Sequence, residues 1–220
     1  MSGELVLHGY WRSSAAYRVR IALNLKGLAF TQITHDLRTG AQKAPDYRTF
    51  APHGLVPALT LEDAAGEARA FIQSPAIIEW IEERYPLPPL LPADIHARAI
   101  VRSMAAIIAC DIHPLNNLRV LNHLRSSFGV DADGIGRWIA EWVREGFAAL
   151  EILVERHGAG YCFGATPTLA DCYLIPQLYS ADRFEVDLAP YPALLAVGAT
   201  ARTLPAFVDA HPNVQPDADR

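Results

Sequence analysis

The stretch PLPPLLPAD, residues 86–94, places four prolines in nine positions and divides the chain into halves of different character. Proline fixes φ and lacks an amide donor, so neither a helix nor a sheet ladder runs through such a segment. Ahead of it, strand-like and helix-like runs alternate. Behind it, only helical periodicity remains. The expected organisation is therefore an α/β domain over residues 1–85, a proline-rich linker at 86–93 and an all-helical domain over 94–220.

In the first half, ELVLHGY reads as a short apolar strand ending at Gly9. Residues 14–26 carry Val19, Ala22, Leu23 and Lys26 at helical spacing, and Gly27 closes that helix. AFTQITHDL alternates as a second strand, a short helical stretch falls near 41–49, and VPALTL is a strand that opens on a proline. EDAAGEA carries turn chemistry and RAFI is the returning strand. QSPAIIEWIEERYP is a helix with Ser74 as N-cap, Pro75 in the first helical position and Pro86 as its stop. Beyond the prolines, helical periodicity covers 94–126, 134–157, 168–184 and 191–203, and the tail NVQPDADR is expected to fray.

Composition excludes several classes. A formal charge of −5 over 220 residues argues against broad nucleic-acid binding, which needs an excess of Lys and Arg. No apolar run reaches the roughly 20 residues of a membrane span. MSGELVLHGY has no basic segment ahead of a long apolar core, so no secretory leader is expected. Cys110, Cys162 and Cys172 show neither C-x-x-C spacing nor an even count, and read as buried free thiols of a reducing compartment.

Three features of the first half suit one ligand. Ser13 and Ser14 stand where a strand ends and a helix begins, a place with unpaired N–H groups and a partial positive charge. A hydroxyl there either caps the helix or donates to an anion such as a thiolate. Val56–Pro57 opens a strand, so the Val56 backbone can meet an extended peptide, above all if the bond is cis. Gln73 and Ser74 at a helix start offer amide, hydroxyl and backbone N–H to a carboxylate; capping accounts for Ser74 but not for Gln73. Together the set fits a small thiol peptide. In the second half, Pro114 of IHPLNN is expected to kink a long helix, with His113 and Asn117 on one face satisfying the freed carbonyls. TLAD, Thr168 to Asp171, has capping-box spacing. His8 is expected to be a satisfied, partly buried histidine, and Arg18, Arg20 and Arg119 ordinary surface arginines.

RSSAAYRVRIAL resembles the zeta-class signature of the cytosolic glutathione S-transferases. VPAL, QSPAIIEWIEERYP, LLPAD, CDIHPLNNLRVL, TLADCYLIPQ and RFEVDLAPYP extend the likeness, toward the bacterial maleylacetoacetate and maleylpyruvate isomerases, through nearly the whole chain. The resemblance implies a thioredoxin-like α/β N-terminal domain, an all-α C-terminal domain and glutathione as cofactor. It implies glutathione binding by Ser13, Ser14, Gln42, Val56, Gln73 and Ser74, joined by His113 and Asn117 of the second domain. Ser13 is the expected thiolate donor, with Ser14 the second candidate. The implied reaction is isomerisation of maleylacetoacetate to fumarylacetoacetate in aromatic catabolism. The alternatives are maleylpyruvate isomerisation, or a general transferase or haloacid dehalogenase. For a diketo acid with terminal carboxylates, Arg12 and Arg183 are the candidate ligands. A cytoplasmic homodimer without nucleic-acid or membrane partners is implied. The chain departs from the pattern at Ala15, where zeta members have cysteine. It departs again at Leu118, where maleylpyruvate isomerases have a second arginine, which favours maleylacetoacetate.

Overall fold

A computed structural model describes residues 4–62 and 66–219; residues 63–65 of the expected EDAAGEA turn lie outside them. The chain forms two compact units, Met1–Pro89 with Leu204–Arg220, and Leu90–Thr203.

The first unit is built on four strands in the order β2-β1-β3-β4. Strand β1 (Leu5–Gly9) is followed by helix α1 (Ser14–Leu25) and strand β2 (Phe30–Thr34). β1 and β2 are parallel, Leu5 opposite Phe30, so α1 is the crossover that parallel pairing requires. β3 (Ala58–Glu62) runs antiparallel to β1, with His8 opposite Ala58, and β4 (Ala68–Ile72) pairs antiparallel to β3. A short helix, α2 (Pro45–Phe50), precedes β3, and α3 (Ser74–Arg84) follows β4. β1 lies between two strands, and its LVLHG sequence is accordingly apolar almost throughout. Gly9 ends it where a Cβ would stand 3.2 Å from the Ala16 Cβ, so glycine lets α1 approach the strand closely.

α1 is enclosed on every side: residues 15 to 23 are all buried, including Arg18 and Arg20. The expectation that these two arginines lie at the surface is therefore corrected. Both are kept by hydrogen bonds, from Arg18 Nη1 to Ser74 Oγ (3.3 Å) and from Arg20 Nε to the Ala210 carbonyl (2.9 Å). Lys26, which caps α1, donates to Glu82 of α3 at 2.5 Å and to the Pro88 carbonyl at 2.6 Å.

The C-terminal residues correct the 94–220 boundary. Helix α9 (Pro205–Val208) and the tail belong to the first unit. The physical reason is a set of side-chain hydrogen bonds that bring them to α1 and β2: Arg20 to Ala210, Asn24 Nδ2 to the Ala206 carbonyl and Gln32 Nε2 to Asp217 Oδ1. The tail is thus tied down rather than frayed. The proline segment is likewise more than a spacer: Leu90 and Leu91 are buried, and the Leu90 carbonyl accepts the Leu169 N–H at 2.7 Å.

The second unit is all helical: α4 (Ile95–Ala106), α5 (Leu118–Phe128), α6 (Ala132–His157), α7 (Leu169–Arg183) and α8 (Pro192–Ala201). The single helix expected over 94–126 is broken. α4 widens into a π-helical turn over Ile107–Ile112, the His113 N–H bonding back to the Ile108 carbonyl. Pro114 then has no donor with which to continue, and Asn117 caps a new helix by accepting the Arg119 N–H at 3.1 Å. His113 and Asn117 therefore do not share one helix face. Trp138 Nε1 of α6 donates to the Leu115 carbonyl at 3.0 Å. α7 is the buried centre of this unit, nearly all of Leu169–Leu178 being inaccessible. The Thr168–Asp171 capping box forms as expected. Cys162 and Cys172 are buried free thiols, whereas Cys110, in the widened turn, is exposed and corrects the expectation for that residue. Among the described residues no helix is long and apolar enough to cross a membrane.

Candidate functional site

The turn Tyr10–Ser13 joins β1 to α1 and ends in an N-cap. Ser13 has extended backbone (φ −69°, ψ 115°), and its Oγ accepts the Ala16 N–H at 3.2 Å. The cap uses an oxygen lone pair and leaves the hydroxyl proton for another acceptor, so capping and ligand binding are compatible at Ser13. An oxygen that already accepts a hydrogen bond is also a stronger donor. Ser14 is the first helical residue and Ala15 is buried. Arg12, half-buried, lays its guanidinium 5.2 Å from the Trp11 ring centroid.

α3 begins differently from expectation. Gln73, not Ser74, is the N-cap, and it adopts φ 69°, ψ 115° without a side-chain capping bond. A glutamine in this left-handed region is strained, and such strain collects at ligand sites. Ser74 is the first residue inside the helix and 3 % exposed, its Oγ held by Arg18 Nη1 of α1. That bond draws the start of α3 to α1, four residues beyond Ser14. Sequence periodicity missed Arg18, because a helix covered on all sides looks amphipathic when its polar residues are buried with partners.

Gln42 lies in a single helical turn, Ala41–Lys43, which enters from Gly40 at φ 78°. The residue is 6 % exposed, and its Oε1 has no hydrogen-bond partner among the described residues. A buried unsatisfied acceptor is costly and is suited to a ligand N–H. Val56 lies two residues before β3 and outside the paired register, which starts at Ala58. The Val56–Pro57 bond is cis, where proline at a strand edge alone favours trans. The Leu55 carbonyl beside Val56 accepts the Tyr47 hydroxyl at 2.7 Å, and Val56, like Phe50 and Ile72, packs against the buried cluster of Tyr47, Ala51 and Ala58.

His8 supports this region from β1. Its Nδ1 is 3.0 Å from His35 Nε2 and its Nε2 is 3.1 Å from Thr60 Oγ1, with the Phe50 ring centroid at 4.6 Å. Burial, and secondarily the adjacent His35, hold its pKa down at about 4; burial lowers that of His35 too. The folded protein therefore binds fewer protons than the unfolded chain between about pH 6.5 and pH 4. Stability present above pH 6.5 is lost as pH falls through that window, by up to about 3 kcal/mol for His8. Urea denaturation across this range should show that decline, and His8→Gln should flatten it. An unchanged slope in the variant would count against the pair.

His113, Asn117 and Arg183 lie in the second unit. Asn117 Oδ1 is engaged in its cap, and Arg183, exposed at the end of α7, sits 4.5 Å from the Phe184 ring centroid. Leu118 opens α5 and is 45 % exposed.

Comparison with known proteins brings these observations together. Residues 12–84 match the glutathione S-transferase N-terminal domain and residues 137–215 the glutathione S-transferase C-terminal domain. A maleylpyruvate isomerase of Ralstonia sp. is 49 % identical over 214 residues, 96 % of this chain and 99 % of that one. A maleylacetoacetate isomerase of Pseudomonas aeruginosa is 48 % identical over 213 residues, 96 % of this chain and 97 % of that one. The solved holo structure of a maleylpyruvate isomerase, described as a bacterial zeta-class glutathione S-transferase, superimposes with a TM-score of 0.92. It shares 48 % identity, over 97 % of this chain and 100 % of that one. A maleylacetoacetate isomerase from Anaeromyxobacter dehalogenans, solved with glutathione in its active site, superimposes with a TM-score of 0.91 at 43 % identity, covering 99 % of both chains.

Proposed function

The chain belongs to the zeta class of the glutathione S-transferase family, and from that premise we propose that it isomerises maleylacetoacetate to fumarylacetoacetate with glutathione as cofactor. The observation that carries the reading is the Ser13 cap, a hydroxyl at the positive end of α1 whose oxygen accepts the Ala16 N–H, a role that leaves the O–H able to donate.

The chain's own residues suit glutathione. Ser74 and the strained Gln73 stand at the start of α3, where backbone N–H groups favour a carboxylate. The open Gln42 Oε1 suits a ligand N–H, and Val56, outside the ladder, suits an extended peptide backbone. Bound there, glutathione would supply a thiolate nucleophile for reversible addition to the activated double bond of the cis acid, chemistry that allows isomerisation without consuming the cofactor. Ser13 stabilises the sulfur's negative charge: a thiol pKa near 8.5 must fall about two units, roughly 2.7 kcal/mol, to be ionised at neutral pH. A hydroxyl donor and a helix N-terminus together can supply that. Ser14 is the alternative donor. Arg12 and Arg183 are assigned to the substrate carboxylates because a guanidinium suits bidentate carboxylate binding, and His113 and Asn117 to glutathione on the resemblance. Ala15 provides no thiol at the position where the class carries cysteine, so no covalent adduct forms there, and turnover does not need one because the attacking sulfur is the cofactor's.

Maleylpyruvate is the second reading, favoured by the 49 % identical relative. Leu118 favours maleylacetoacetate, since it brings no second arginine. A cytoplasmic homodimer belongs to the same proposal. A panel of cis-enedione acids and haloacids, each with glutathione, tests the choice. We expect the highest kcat/KM on maleylacetoacetate; preference for a haloacid, with glutathione conjugated or halide released, would contradict it.

A further inference from the structure

We propose that Asp217, in the C-terminal tail, is a positioning residue of the thiol site, acting through the backbone of Trp11 to set the Ser13 hydroxyl. The inference rests on the reading of Ser13 as the thiolate donor.

Both backbone polar groups of Trp11 are bonded by side chains. Its N–H donates to Asp217 Oδ2 at 3.0 Å, and its carbonyl accepts Arg20 Nη2 at 2.9 Å. Arg20 is 1 % exposed, and its Nε also bonds the Ala210 carbonyl at 2.9 Å. Asp217 is fixed in turn: its Oδ1 accepts Gln32 Nε2 of β2 at 3.3 Å. Gln215 Nε2 ties the tail to the carbonyls of Asp209 (2.8 Å) and His211 (2.9 Å), and Arg38 Nη1 reaches both oxygens of Asp219 at 2.9 Å.

Trp11 is the second residue of a four-residue turn, and Ser13, its last, is held by a bond from its N–H to the Tyr10 carbonyl at 3.0 Å. Two residues thus separate the Asp217 carboxylate from the cap whose hydroxyl faces the sulfur. A hydroxyl donor's hold on a thiolate weakens when it is displaced from its best geometry, so a turn locked from two elements preorganises it. Asp217 reaches this turn through a polar contact, which assigns it to the turn's geometry rather than to a core.

The test compares Asp217→Ala with Asp217→Asn. Both remove the charge, but only alanine removes the acceptor for the Trp11 N–H, and Gln32 can turn its amide to accept from the new Nδ2. The apparent pKa of glutathione bound to the enzyme is read from thiolate ultraviolet absorbance against pH, beside kcat and KM. In Asp217→Ala the bound-thiol pKa should rise by about one unit and kcat below it fall about tenfold, with KM for glutathione within about twofold. Asp217→Asn should restore both, and in a Ser13→Ala background Asp217→Ala should have no further effect. An unshifted thiol pKa in Asp217→Ala, failure of asparagine to restore it, or an additive cost in the double variant would each overturn the inference. Ser13→Ala alone decides the underlying reading: if it leaves the bound-thiol pKa in place, the assignment of Ser13 fails whatever Asp217 does.

Discussion

Ser13→Ala should lower isomerisation by about 10- to 100-fold, mainly in kcat, while costing the fold only about 1 kcal/mol. A hydrogen bond from a hydroxyl to a charged sulfur is worth about 1.5–3 kcal/mol, and each 1.36 kcal/mol is a factor of ten in rate. The stability cost is that of one helix cap, the Ser13 Oγ bond to the Ala16 N–H. The two costs have different origins, which makes the substitution informative. A cap without chemistry would lose stability and keep its rate. In addition, the bound glutathione thiol should titrate higher in the variant, so raising the pH should recover part of the lost rate. Ser14→Ala should do less, because Ser14 lies inside the first helical turn and does not hold the cap. The reverse ranking would assign the donor to Ser14.

Asp171→Ala should cost about 3–5 kcal/mol of stability, the largest loss expected of any single polar residue in the second unit. Asp171 is 0 % exposed and accepts from the Cys162 N–H at 2.8 Å, the Thr168 N–H at 2.7 Å and the Thr168 hydroxyl at 2.8 Å. Its removal leaves three buried donors without partners at the start of α7, the helix around which this unit packs. Burial raises the carboxyl pKa, and these three donors together with the Cys162 thiol oppose that rise, so the charged form depends on them. Chemical denaturation measures the effect. Asp171→Asn, which retains one acceptor, should fall between the parent and alanine, and a loss below about 1 kcal/mol for alanine would show that the box is peripheral.

Much of the architecture was legible because it rests on local chemistry. The proline run, the glycine after α1, Pro75 at the start of α3 and the TLAD box all act within a few residues, and each marked an element edge. What sequence did not reveal depended on distant partners. Arg20 is buried because a carbonyl 190 residues away, at Ala210, accepts from it. No period in the sequence discloses that. The same holds for Arg18 and Ser74, 56 residues apart, and for the tail, whose polar composition suggested fraying until Asp217 and Asp219 found their donors. The break at Pro114 was half legible: proline marked the interruption, but whether the helix kinks or ends depended on Asn117 capping its successor. At the candidate site the residue types were readable and the conformations were not. Gln73 was singled out as unexplained by capping, and it proved to be the strained residue of the α3 start. Arg18 beneath Ser74 and Tyr47 beside Val56 carry no sequence signal for such a role.

The central claim is that glutathione acts as a catalyst on this protein's thiol site and is not consumed. Conversion of maleylacetoacetate to fumarylacetoacetate should be followed with and without glutathione, and the free thiol counted before and after many turnovers. The account predicts no enzymatic conversion without glutathione and full recovery of its thiol at the end. Turnover in its absence, or loss of one thiol per product, would contradict it.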